Sequence, residues 1–304
     1  TATRGTIKPQ AHFDAGDDAV ALRKAIEGLG TKEKTLIDIL THRSSAQRQL
    51  ICEAYVEATG RTLVDDLRGD TSGDLEALLV ALATPPAAFD CHEVMRAMKG
   101  AGTTESILIE IFASRSNQQI KALTDVYLEE TEKKLTLDLK NEISGDFSDA
   151  LLLLAEVCHR RTLYDAGEKK WGTDESKFVD ILCQRSVPQL RQTLVEYKNI
   201  SGKTLQQSIE GEMTGELEEL LVAIVKCVKS MPTYFAERLH ESMKGGGTDE
   251  SSLNRIMVSR SEIDLLDIRA EFKKLYEYSL HSAIKSDLSG VLGDCVEAIC
   301  GGDD

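Results

Sequence analysis

The chain has 304 residues, of which 41% are apolar and 29% charged, and its formal net charge is −15. This composition is typical of a folded globular protein and excludes a disordered one. So negative a chain is repelled by nucleic acid, and by anionic membranes unless a cation intervenes, so we expect no nucleic-acid partner. Its seven cysteines form no CxxC pair, which favours free thiols in a reducing cytoplasm over disulfides or zinc.

After a short tail, the chain shows the apolar spacing of consecutive helices. Thr31 is predicted to cap the second helix, and Ser44 or Ser45 to cap a third that stops at Gly60. A short fourth helix and a fifth follow before Pro85–Pro86. No stretch shows a sustained alternation of apolar and polar residues, so the sequence predicts no sheet.

The same pattern recurs four times along the chain. The arginines that end each second helix lie 72, 70 and 75 residues apart: Arg43, Arg115, Arg185 and Arg260. We expect them to cap carbonyls or to pair with acids inside their own repeat. The period predicts an all-α array of four repeats of about 70 residues, each with five helices. The boundaries are a tail at 1–13 and repeats at 14–86, 87–156, 157–230 and 231–304.

Each repeat carries a glycine loop between its first two helices and, about forty residues later, an acidic residue followed by a Ser/Thr-Gly pair. The loops are Gly28–Thr31, Gly100–Thr103, Lys170–Thr173 and Gly245–Thr248, and the acids are Asp70, Glu142, Glu212 and Asp287. The preceding helix cannot use its last carbonyl oxygens, and glycine lets several of them point at one spot. Carbonyls with a carboxylate suit Ca²⁺, which takes about six to eight oxygens, better than Mg²⁺.

We therefore predict a weak calcium site in each repeat, with a dissociation constant of about 10⁻⁴ M or poorer and open positions for water or a phosphate oxygen. A P-loop and an EF-hand are excluded by their missing spacings, whereas plain helix caps stay open as an alternative. Trp171, the only tryptophan, occupies the third loop, where an exposed indole suits a membrane interface. The sequence offers no nucleophile elbow and no Cys/His pair, so we predict no enzyme activity.

Four such repeats, with loops such as Met98–Thr103 and Met243–Thr248, resemble those of the annexins. The third loop, Gly167–Thr173, is similar to a variant form in that family. The resemblance covers nearly the whole chain after the tail. It implies a curved disc of four five-helix repeats with the calcium loops on the convex face. It also implies carbonyl ligands at Ile26, Gly28, Gly30, Met98, Gly100, Gly102, Gly167, Lys170, Gly172, Met243, Gly245 and Gly247, and carboxylate ligands at Asp70, Glu142, Glu212 and Asp287.

By the same resemblance, a polar centre between repeats is lined by Asp90, Glu93, Arg115 and Arg260. In the family an aspartate follows the loop threonine, but here Lys32 and Thr104 take that place in the first two repeats. The exchange predicts weaker secondary cation contacts there. The junction between the second and third repeats is shorter than in the family, which predicts a shortened first helix in the third repeat.

The resemblance implies calcium-dependent, reversible binding to anionic, phosphatidylserine-like phospholipid. The protein would be cytoplasmic and become a peripheral membrane protein when calcium rises, as a monomer in solution that can self-associate on membranes. Membrane organisation, trafficking or phospholipase A2 inhibition by lipid masking would follow. The alternative is a calcium-independent helical-repeat scaffold for protein partners, in which the loops are only structural caps.

Overall fold

A computed structural model describes residues 3–156 and 174–304. Within these two ranges the regular elements are 19 helices, and no strand occurs among them. The prediction of an all-α chain is therefore confirmed. None of the helices in these ranges is long and apolar enough to cross a bilayer.

The helices follow the predicted order of five per repeat. The first repeat holds α1 Ala15–Glu27, α2 Glu33–Thr41, α3 Ser45–Thr59, α4 Leu63–Asp70 and α5 Gly73–Ala83. The second holds α6 Pro86–Met98, α7 Glu105–Ser114, α8 Asn117–Thr131, α9 Leu135–Glu142 and α10 Gly145–Ala155. The third holds α11 Asp174–Gln184, α12 Val187–Ser201, α13 Leu205–Glu212 and α14 Gly215–Lys229. The fourth holds α15 Met231–Ser242, α16 Glu250–Arg260, α17 Leu265–Tyr276, α18 Leu280–Asp287 and α19 Gly290–Cys300. The first helix predicted for the third repeat lies outside the described residues.

Helix caps explain most of these boundaries. Ser44 caps α3 in a reciprocal capping box with Gln47, and Gly60 ends the helix in the left-handed conformation, as predicted. The prediction that Thr31 caps α2 is wrong. Lys32 occupies that position, and its side chain makes no capping hydrogen bond. The Lys32 amide bonds back to the Ala25 carbonyl of the preceding helix.

The described residues form two compact units. One comprises residues 1–86 and 235–304, and the other residues 87–234. In the first unit, α2 packs on α19 and α5 packs on α16, while in the second α7 packs on α14. In the first repeat Leu22, Leu36, Leu40, Ile51 and Leu67 are fully buried, whereas Val20, expected on the apolar stripe of α1, is 45% exposed. The hydrophobic burial of each unit therefore includes contacts between different repeats.

The N-terminal segment belongs to the first unit and lies along the fourth repeat. The Arg4 amide donates to the Ile263 carbonyl at 3.1 Å, and the Ile7 amide donates to the Ser261 carbonyl at 3.0 Å. A Cβ atom at Gly5 would lie 2.5 Å from backbone atoms of Glu262, so only glycine permits this approach. The segment is thus an ordered part of the unit.

Three of the repeated arginines pair with acids inside their repeats, as predicted, whereas Arg185 donates to the Thr193 hydroxyl at 2.9 Å. Arg43 forms two hydrogen bonds with Asp18, and Arg115 forms the same pair with Asp90, in each case 25 residues back. In the fourth repeat Phe235 occupies the acid's place. Arg260 lies 4.7 Å above its ring and pairs instead with Asp264.

Candidate metal centres

Three of the four glycine loops lie within the described residues, and one backbone hydrogen bond closes each of them. The Lys32 amide donates to the Ala25 carbonyl at 3.1 Å, and the Thr104 amide donates to the Ala97 carbonyl at 2.8 Å. In the fourth repeat the Asp249 amide donates to the Ser242 carbonyl at 2.7 Å. Each donor lies seven residues after its acceptor, so the ends of every loop are held together while the glycines between them are exposed.

The carbonyl oxygens named by the resemblance are available for a ligand. Each lies in or just beyond the last turn of a helix, where no following helical amide can reach it. Among residues 3–156 and 174–304, no loop amide or side chain donates to any of them. They are Ile26, Gly28, Gly30, Met98, Gly100, Gly102, Met243, Gly245 and Gly247.

The second and fourth loops share a backbone conformation that the first does not. Gly100 and Gly245, the first glycine of each, have φ values of 116° and 103°. In the first loop Gly28 has φ −69°, and the positive value of 80° falls on Gly30 instead. Because side chains rarely adopt such angles, backbone geometry explains the glycines at three of these positions, Gly30, Gly100 and Gly245.

The four acids occupy one structural position. Each is the exposed last residue of the fourth helix of its repeat: Asp70 in α4, Glu142 in α9, Glu212 in α13 and Asp287 in α18. The glycine of the following Ser/Thr-Gly pair has a φ between 64° and 79° in all four repeats. This left-handed residue turns the chain sharply from the acid into the fifth helix.

The loop threonines show where the acids lie. The Thr248 hydroxyl donates to Asp287 Oδ2 at 2.6 Å, and the Thr31 hydroxyl donates to the Asp70 backbone carbonyl at 3.2 Å. The structure therefore brings the predicted acid to its glycine loop in the first and fourth repeats. The sequence reasoning gave these threonines no such contact.

A buried tyrosine fixes the helix that presents the acid. Tyr55 on α3 donates to Asp66 on α4, and Tyr127 on α8 donates to Asp138 on α9. In the third repeat the Tyr197 hydroxyl lies 2.8 Å from Ser208 Oγ. These bonds join the third and fourth helices of the first three repeats, between residues eleven positions apart, and so help to hold the acids of those repeats in place.

The third site is only partly placed. Its acid, Glu212, ends α13, whereas Gly167, Lys170, Gly172 and Trp171 lie outside the described residues. The third carbonyl set and the membrane role of the tryptophan therefore stay predictions.

The donor set suits a hard divalent cation. The first and fourth sites bring backbone carbonyls and one acidic residue together, and both offer oxygen ligands of the kind that calcium takes. Among residues 3–156 and 174–304, no three His, Cys, Asp or Glu side chains gather as a metal cluster. Such a site leaves coordination positions open for a further oxygen.

Asp249 follows the fourth loop's threonine and has a structural role at the start of the next helix. Its side chain caps α16 by accepting the Ser252 amide at 3.0 Å and the Ser252 hydroxyl at 2.6 Å. Burial acts to raise the pKa of Asp249, but these hydrogen bonds and the charges of Arg255 and Arg238 outweigh it and lower the pKa.

Leu29 is a feature that the sequence reasoning left without a role. It lies between Gly28 and Gly30, and its side chain is fully exposed, at 110% of the reference area. No packing inside the protein explains a leucine at that place.

The residues expected at the polar centre fall into both units. In the second unit Asp90 pairs with Arg115, and Glu93 pairs with Arg96 at 2.8 Å. Arg260 belongs to the first unit, where it pairs with Asp264. A shared polar centre stays a prediction.

Repeated five-helix units with glycine loops, met by a distant acid in the first and fourth repeats, define a class of helical-repeat protein with candidate oxygen-donor cation sites. The annexin family model matches residues 17–82, 89–154, 161–224 and 234–299. The chain belongs to the annexin family.

Individual relatives agree along almost the whole chain. Annexin A3 of Homo sapiens is 54% identical, over 99% of this chain and 98% of its own. A solved annexin III is 53% identical with a TM-score of 0.93, covering 100% of this chain and 98% of its own. A calcium-bound annexin (Sm)1 is 34% identical with a TM-score of 0.85, covering 100% and 95% of the two chains.

Proposed function

We propose that this chain binds calcium in its four glycine loops and, through the bound calcium, binds anionic phospholipid reversibly. The observation that carries the proposal is the fourth loop. There, carbonyl oxygens that receive no hydrogen bond lie in a closed loop whose threonine touches the Asp287 carboxylate. The calcium-bound form of a 34% identical annexin supports the same metal.

The negative charge of the chain explains why membrane binding should need calcium. At −15 the protein is repelled by a phosphatidylserine surface, so an electrostatic approach needs a bound cation. A calcium ion held by carbonyls and one carboxylate keeps part of its positive charge and has room for a phosphate oxygen. The ion then bridges the loop and the lipid.

Several weak sites on one chain give a steep response. Once one loop is bridged to the membrane, the next contact is intramolecular and benefits from a high effective concentration. Binding should therefore rise sharply over a narrow calcium range and reverse with a chelator. A monomer in the cytoplasm would become a peripheral membrane protein when calcium rises and could then self-associate there. Organisation or masking of lipid, including protection from phospholipase A2, needs only binding and no catalysis.

Single carboxylate-to-amide variants test the proposal. Asp287→Asn and Glu212→Gln keep the side-chain size but remove one ligand charge, so each should raise the calcium concentration for half-maximal vesicle binding. Glu212→Gln should also blunt the change in Trp171 fluorescence on vesicle binding. The matched control is Glu277→Gln, an exposed acid at the end of α17 that lies outside the loops. Unchanged calcium titrations for both ligand variants would contradict the proposed sites. Absence of vesicle binding at every calcium concentration would favour a calcium-independent scaffold.

A further inference from the structure

The fourth loop is connected to the protein interior by a chain of polar contacts. Asp249 accepts both the amide and the hydroxyl of Ser252, and Arg255 donates to that hydroxyl at 3.2 Å. Arg255 is only 1% exposed, and Ser252 is 7% exposed. The residue at the loop's end is therefore anchored to a buried cation on α16.

The anchored residue also closes the loop. The Asp249 amide makes the bond to the Ser242 carbonyl, while its side chain is held by Ser252. Its neighbour Thr248 holds the Asp287 carboxylate at 2.6 Å. Thr248 and Asp249 together thus hold the two ends of the loop and orient the Asp287 carboxylate.

The other two described loops lack this arrangement. Lys32 and Thr104 occupy the place of Asp249, and neither makes a side-chain capping hydrogen bond. In the first loop the Thr31 hydroxyl donates to the backbone carbonyl of Asp70, not to its carboxylate. These loops are closed by backbone bonds alone.

We infer that Asp249, Ser252 and Arg255 are positioning residues that preform the fourth calcium site, so that it fills before the sites of the first and second repeats. This inference rests on the proposed function. Ordering a loop and its ligands costs conformational freedom, and a site already ordered by the fold avoids that cost when the ion binds. Groups that orient metal ligands typically change affinity by about tenfold or more.

Hydrogen exchange with millisecond labelling, followed by mass spectrometry, measures each loop separately in the wild-type chain. We expect amides of the fourth loop to reach half-maximal protection at roughly one-tenth of the calcium needed by the first and second loops. Half-maximal protection at equal or higher calcium in the fourth loop would overturn the inference. Protection in no loop would refute the proposed function and this inference with it.

Variants separate positioning from direct ligation. Ser252→Ala and Asp249→Ala should raise the calcium requirement of the fourth loop about tenfold and leave the first loop unchanged. Asp249→Asn keeps a good helix cap, and Ser252→Thr keeps the hydroxyl, so both should stay within about threefold of wild type. If Asp249→Asn raised the calcium requirement of the fourth loop as much as Asp249→Ala, the Asp249 charge would act directly on the ion and the inference would be wrong.

A gain-of-function variant provides the matched control. Lys32→Asp places a cap before Thr35, which stands where Ser252 stands in the fourth repeat. It should lower the calcium requirement of the first loop several-fold, and adding Thr35→Ala should remove much of that gain. No gain from Lys32→Asp would count against the inference. Thermal unfolding without calcium checks that every variant is folded, and a variant with wild-type unfolding but a shifted titration supports positioning.

Discussion

Replacing Leu29 with alanine should weaken membrane binding without weakening the fold. Leu29 is fully exposed at the tip of the first glycine loop, between two candidate calcium ligands. A loop bridged by calcium to lipid phosphate would bring this side chain to the acyl boundary of the bilayer. The substitution removes only atoms that touch water in the free protein.

The size of the effect follows from the number of carbon atoms removed. Leucine has three more side-chain carbons than alanine, and each is worth about 0.8 kcal/mol when buried in a membrane. Complete insertion of Leu29 would therefore contribute about 2 kcal/mol, which corresponds to roughly a thirtyfold change in vesicle affinity. The free energy of unfolding should change by less than about 0.5 kcal/mol, as is usual for surface substitutions.

The assay is sedimentation with phosphatidylserine vesicles at a fixed, saturating calcium concentration, over a series of lipid concentrations. Leu50→Ala is the matched control, because Leu50 is 48% exposed in the middle of α3 and lies outside the loops. It should leave vesicle binding unchanged. Equal affinities for Leu29→Ala and wild type would refute the insertion of this side chain.

Three further predictions concern stability. Asp90→Asn should cost about 3 kcal/mol in the free energy of unfolding, because it breaks a buried ion pair with Arg115. Glu132→Gly and Glu277→Gly should each raise the free energy of unfolding by about 1 kcal/mol. Both glutamates have positive φ values at helix ends, a conformation that glycine adopts without strain. Burial, with a hydrogen bond to a carboxylate, raises the pKa of Tyr55 above 10, so stability should fall above that pH and Tyr55→Phe should flatten the decline.

Urea unfolding measures the first two of these effects, with Asp18→Asn as a milder control because the Asp18–Arg43 pair is more exposed. An equal cost for Asp18→Asn and Asp90→Asn would contradict the role of burial. No stabilisation by either glycine would show that the left-handed glutamates are not strained. Stability should fall at high pH because Tyr55 loses its proton at lower pH in the unfolded chain than in the folded one. An identical pH profile in the phenylalanine variant would exclude a contribution from this group.

The repeat pattern predicted the fold and the site residues because both depend on local signals. Apolar spacing, the Ser44 cap and Gly60 mark helix ends without reference to distant contacts. The separation between loop and acid recurs, so their pairing could be inferred before any contact was known. The structure confirms the meeting for Asp70 and Asp287 through the loop threonines.

The sequence could not predict the contacts that form only when the folded chain brings the two ends of each loop together. The amides of Lys32, Thr104 and Asp249 each bond to a carbonyl seven residues back, which is no regular helical or turn spacing. Threonine is a common helix cap, which is why Thr31 was predicted to be one. Its hydroxyl instead donates to the backbone carbonyl of Asp70, the last residue of α4. The role of Asp249 likewise depends on Ser252 and buried Arg255, which only the folded α16 brings together.

Sedimentation of the wild-type chain with vesicles of phosphatidylserine and phosphatidylcholine tests the central claim most directly. The measurement compares bound protein without calcium, over a calcium series, and after addition of a chelator. We predict no binding without calcium, a steep rise as calcium increases, complete release by the chelator, and weak binding to phosphatidylcholine alone. Equal binding with and without calcium, or no binding at any calcium concentration, would contradict a membrane function carried by the four loops.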